Sequence, residues 1–147
     1  MSDWTWRRVG GVVVVCLSMV GLLGACGGAP AAALPSTVDV QLHSFGIEAS
    51  TPRVKAGKVT FNALNKANDV QHEMLVVRTD SSPDALPYDI AAGRLNEEDI
   101  NSVGEVSELD AGKSGSLTVD LKPGHYLLLC NIATHFKNGM VVPLEVQ

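Results

Sequence analysis

Cys130, His135 and Met140 stand at even five-residue steps in the run Leu129-Cys130-Asn131-Ile132-Ala133-Thr134-His135-Phe136-Lys137-Asn138-Gly139-Met140. A second imidazole, His72, lies far upstream in Asn68-Asp69-Val70-Gln71-His72-Glu73-Met74. Thiolate, thioether and two imidazoles together form a donor set that copper selects. A trigonal His2Cys arrangement with a weak axial Met is the one used for electron transfer. Taken singly, each residue has a plainer reading. A buried Cys is often simple core. Cys130 with His135 as base is the enzymatic alternative, but nothing in the chain offers an orienting third group or an oxyanion site. Met74 shares a strand face with His72, where core packing competes with a role as a Cu(I) ligand.

These donors need a rigid frame, and the chain around them reads as β-structure. Val38, Val40 and Leu42 alternate with Asp39, Gln41 and His43, the period of a half-buried strand. β-rich runs follow at 59–64, 74–77, 116–121, 125–130 and 141–146, separated by turns such as Lys122-Pro123-Gly124. Short strands spaced by Gly and Pro predict an all-β Greek-key sandwich with a short irregular or helical insertion. Cys130 ends one predicted strand, and the next ten residues turn back to bring His135 and Met140 to it, with His72 arriving from a neighbouring strand. Strand parity sets His43 and His125 facing away from the core, towards solvent, with His125 read as a surface turn residue.

The pattern Gly124-His125-Tyr126-Leu127-Leu128-Leu129-Cys130, then Cys-x4-His-x4-Met with Gly139 before the Met, then a short apolar strand, resembles the plastocyanin/azurin group of blue copper proteins, the cupredoxins. The resemblance implies a cupredoxin domain over 37–147 holding one type 1 copper ion that cycles between Cu(I) and Cu(II). It implies His72, Cys130 and His135 as strong ligands and Met140 as the axial one. Two positions depart from the family pattern. Ala133-Thr134 replaces a common Pro-Gly pair, and Glu73 replaces a common Asn after the first His, so a hydrogen bond between loops would be remade by Glu73 to Asn131. Copper enzymes on related folds relay electrons through His residues flanking the ligand Cys. Cys130 is flanked by Leu129 and Asn131, so a carrier rather than an enzyme is expected.

Residues 1–25 read as an export signal. Arg7 and Arg8 precede an apolar stretch from Val9 to Leu23, followed by Gly24-Ala25-Cys26. That stretch is shorter than the ~20 residues of a spanning helix. A Cys after Leu-Gly-Ala looks like a bacterial lipoprotein signal, with Cys26 acylated, and 26–36 would be a flexible Gly/Ala/Pro tether. Cys16 would be removed and Cys26 lipidated, leaving Cys130 as the one free thiol in an oxidising compartment, where an unpaired Cys normally has a purpose.

The whole chain has 147 residues and a formal net charge of −5, which argues against nucleic acid as a partner. Between 79 and 112 the strand pattern loosens, and Arg94 stands alone against Asp80, Asp84, Asp89, Glu97, Glu98, Asp99, Glu105, Glu108 and Asp110. This is either a solvated insertion or a docking face for a basic partner. Ser81-Ser82-Pro83-Asp84 and Leu95-Asn96-Glu97-Glu98-Asp99 are each predicted to start a short helix or turn, capped by a Ser and by Asn96. Leu129, Ile132, Phe136 and Val141 are expected to keep the metal dry, with Ile132, Ala133 and Phe136 ringing His135 at the surface. The sequence therefore predicts a monomeric, exported protein, lipid-anchored on the outer face of the cell membrane, carrying single electrons between redox partners such as a cytochrome or oxidase. Copper buffering, delivery or resistance at the cell surface is the alternative, and a metal-free interaction module the third.

Overall fold

The computed structural model describes residues 33–147. The expected signal peptide, Cys16, Cys26 and the tether as far as residue 32 lie outside the described residues. In chain order the strands are β1 (Thr37–His43), β2 (Gly46–Ala49), β3 (Arg53–Val54), β4 (Gly57–Asn65), β5 (His72–Arg78), β6 (Tyr88–Asp89), β7 (Arg94–Leu95), β8 (Ser102–Leu109), β9 (Ser114–Leu121), β10 (Gly124–Leu129) and β11 (Val141–Val146). One sheet has the order β2-β1-β4-β9 and the other β3-β11-β10-β5-β8, while β6 and β7 form a small ribbon. Both sheets are mixed, because β1 runs parallel to β4 and β3 parallel to β11. The fold is the expected all-β sandwich.

Alternation decides which residues face the space between the sheets. Val38, Val40 and Leu42 of β1 meet Val59, Phe61 and Ala63 of β4 there. Met74, Val76, Tyr126, Leu128, Leu144 and Val146 come from the other sheet. β5 and β10 do not alternate, and both of their faces are buried. Strands covered on both faces read as continuous apolar runs. The cover on the outer face is the segment between β5 and β8: Leu75, Val77, Leu127, Leu129 and Phe136 pack with Leu95, and Leu86, Tyr88 and Ile100 lie against them.

That segment is more ordered than its sequence suggests. It leads into β8, an eight-residue edge strand in which only Val106 is buried, so no apolar alternation marks it. Single 3-10 turns form at Pro83–Ala85 and Glu97–Asp99, with Ser82 and Asn96 at their N-caps as expected. Only Asn96 caps with its side chain, which accepts a hydrogen bond from Glu98 N.

Two features orient the end of the sandwich that holds the donors. β1 starts at Thr37 and runs towards that end, where the turn of Ser44 and Phe45 brings Phe45 against His135. Asn65, fully buried at the end of β4, donates to the carbonyls of Val70 and Leu109 and accepts from Ala67 N. These bonds fix the loop that delivers His72.

Candidate metal centre

Antiparallel pairing of β10 with β5 sets Leu129 opposite Leu75. One step further, Cys130 leaves the sheet on the inner face, alongside Met74 and within reach of His72 at the head of β5. Residues 131–139 then fold into tight turns. His135 N donates to Ile132 O, Met140 N to His135 O, and Cys130 N to Met140 O. The backbone of Met140 is therefore bonded to both other members of the loop, and its side chain is fully buried.

The donor atoms converge. His72 Nδ1 lies 3.2 Å from His135 Nδ1, and Cys130 Sγ lies 3.4 Å from His135 Nδ1 and 4.0 Å from His72 Nδ1. Metal bonds of ~2.0–2.3 Å spread over a trigonal plane separate nitrogen and sulfur donors by ~3.5–3.8 Å, so the triangle is close to metal-binding size. His72 has no exposure, and its Nε2 is buried without a partner, so Nδ1 and whatever it faces supply the polar satisfaction of that ring. Of the three donors only His135 reaches the surface, at 8 % exposure.

Burial sets the charge states. It lowers His72 from the ordinary 6.5 to about 4, helped by the neighbouring His135 and His43, and it lowers His135 as well. It pushes the Cys130 thiol up to about 11. Both imidazoles are thus neutral and free to donate lone pairs, and the thiol keeps its proton until a cation takes its place.

Solved structures of auracyanins and of an azurin share this architecture. Auracyanin reduced with Na-dithionite, from the photosynthetic bacterium Roseiflexus castenholzii, is similar at 22 % identity, with 78 % of this chain and 98 % of that one covered and a TM-score of 0.63. The fold is the cupredoxin fold. Auracyanin A, a "blue" copper protein from the green thermophilic photosynthetic bacterium Chloroflexus aurantiacus, is 22 % identical over 76 % of this chain and 99 % of its own, at a TM-score of 0.52. An azurin from the methylotroph Methylomonas sp. strain J is 14 % identical over 80 % and 99 %, at 0.56. No protein-family model and no curated protein matches the sequence. On the cupredoxin fold, the cluster of His72, Cys130 and His135, with Met140 buried in the same core as Cys130, fits one type 1 copper ion.

Both departures from the family pattern have a structural answer. Thr134 takes the left-handed conformation, with φ 73, where a Gly would be unstrained. Its N–H donates to Gly93 O at 2.7 Å, so the insertion holds the turn that Ala133-Thr134 leaves strained. Glu73 Oε1 accepts from Asn131 N at 3.0 Å, the expected link between the two donor-bearing segments. Asn131 then reaches outward. Its Oδ1 accepts from Leu95 N at 2.8 Å, and its Nδ2 donates to Leu95 O and to Glu97 Oε1. An amide side chain completes the backbone pairing of β7 and joins the insertion to the residue after Cys130.

Other expectations need correcting. Phe136 does not ring His135. It is buried on the outer face, stacked on Tyr88 at 6.3 Å, and Leu129 and Val141 share that outer cluster rather than lining the metal side. Neighbours in a tight loop do not keep strand parity, which is why the sequence misplaces Phe136. Ile132 alone of the expected dry shell packs against the inner core, beside Cys130 and Met140. Met74 is fully buried core. His125 and His43 both reach solvent, as their parity predicts: the side chain of His125 is 70 % exposed and faces Asp80, and that of His43 is 45 % exposed beside Glu48. His125 lies within β10 rather than in a turn. The aromatic ring that does meet His135 is Phe45, at 5.3 Å between centroids and roughly perpendicular. The sequence does not single it out.

Proposed function

We propose that this chain is an exported, lipid-anchored blue copper protein that carries single electrons between redox partners such as a cytochrome or an oxidase. The observation that carries the reading is the buried triangle of His72 Nδ1, His135 Nδ1 and Cys130 Sγ. In this reading those three side chains, with Met140, would hold the copper, which would supply one-electron exchange between Cu(I) and Cu(II). The protein's part is to make both oxidation states accept the same geometry. β5 fixes His72, β10 and the turns of 131–139 fix the other donors, and Glu73 and Asn131 join the two segments. The inner core excludes water from Cys130 and Met140. His135, the one donor at the surface, is the route by which an electron leaves. Lipidation of Cys26 rests on the sequence pattern alone.

A hydrolytic or transfer role for Cys130 is disfavoured by its environment. A thiol raised by burial beside a His whose proton affinity is lowered does not form the thiolate–imidazolium pair that a nucleophile needs. Copper hand-off is disfavoured because His72, Cys130 and Met140 have no exposure and His135 only 8 %. The test is the visible and electron paramagnetic resonance spectrum after addition of Cu(II), beside a Cys130→Ser variant. An intense blue band with narrow hyperfine splitting, absent from the variant, is expected. A colourless protein, or a band that survives the substitution, would remove the thiolate site and the reading with it.

A further inference from the structure

Phe45 occupies a position that its residue type makes costly. His43 pairs with Gly46, so Ser44 and Phe45 form a two-residue hairpin loop between β1 and β2. The second loop residue has φ 58, a left-handed conformation suited to Gly or Asn and unfavourable for a bulky side chain. Burial does not account for the strain, since Phe45 remains 47 % exposed and is one of two large exposed apolar residues among those described. What the turn achieves is placement: the ring is held roughly perpendicular to that of His135, the one donor imidazole that reaches solvent. A strained residue whose best contact is a functional side chain is reasonably read through that contact.

We propose that Phe45 is a positioning residue that caps His135, so that bound copper is released or passed to a competing ligand only when the hairpin loop opens. This rests on the reading of the site as a copper centre. Copper leaves a cage by exchanging its ligands one at a time. His72 and Cys130 have no exposure and Met140 is core, so His135 is the ligand able to swing outward. Phe45 stands in that path. Its removal frees the imidazole to move and admits a chelator, while the remaining donors keep their frame.

The proposal separates two quantities that a merely structural residue would move together. In Phe45→Gly the strain at φ 58 disappears, so the thermal midpoint of the copper-free protein should be unchanged or higher. Copper loss from the loaded full-length protein in detergent to excess EDTA, followed by fading of the blue band and by metal analysis, should be about tenfold faster or more. Phe45→Leu should restore most of the retention. A release rate within about twofold of the wild type would overturn the proposal. So would faster release accompanied by a lowered midpoint of the copper-free variant, since that is a folding defect. A wild-type protein that takes up no copper would instead overturn the functional reading beneath it.

Discussion

Glu73 is the side chain on which the site's chemistry and the protein's stability meet. It lies next to His72, it accepts the Asn131 N–H, and it is 8 % exposed. Burial, with the charges of Glu108, Glu97 and Glu105, raises it from 4.5 to about 7. Between those values the native state holds a proton that the unfolded chain has lost, so the stability contributed by Glu73 is complete below about pH 4.5 and disappears as pH rises through about 7. Glu73→Gln has no such proton. Between about pH 4.5 and 7.5 the wild type should therefore lose on the order of 3 kcal/mol relative to the variant, measured by urea denaturation of the copper-free proteins. His72 and His135 contribute in the opposite sense, losing stability as pH falls, but they do so in both proteins and cancel in the comparison. A difference that stays flat with pH would show that Glu73 is not raised. At this scale the donors were legible in the sequence, because little besides a soft metal calls for a thiol, an imidazole and a thioether so closely spaced. Phe45 was not, because it meets His135 only through the folding of a hairpin remote from it in the chain.

The insertion between β5 and β8 acts on the metal loop as a brace. Gly93 O holds Thr134 N, Asn131 brackets Leu95, and Leu95 is buried against Phe136 in the outer core. Asn131→Ala would leave the N–H and C=O of Leu95 buried without partners, at a cost of about 1–3 kcal/mol for each group left unpaired. Amide hydrogen exchange across 88–101 should accelerate, together with a fall in the urea midpoint. Exchange in that stretch at the wild-type rate would show that Asn131 is not what holds the brace. The elements followed the sequence where alternation was clean, as in β1 and β4. The unbroken runs Met74-Leu75-Val76-Val77 and Leu127-Leu128-Leu129 already carried the sign of a second covering layer. β8 was hidden because an edge strand with one buried residue and two glutamates has almost no apolar signal, and such charge on an edge protects it from pairing with other chains.

For the molecule as a whole, the proposed function places a lipid on Cys26, and on that proposal the protein should sediment with membranes and leave them only in detergent. A Cys26→Ser variant should appear in the soluble extracytoplasmic fraction, and one that remained on the membrane would refute lipidation as the anchor. Such an attachment has a consequence set by β1. The chain enters the sandwich at Thr37 and reaches the metal end only after the seven residues of that strand, ~20 Å at the usual rise. The donor cluster and the point where the described chain enters the sandwich therefore stand at opposite poles, so a partner that docks at His135 would meet a face remote from the proposed point of attachment.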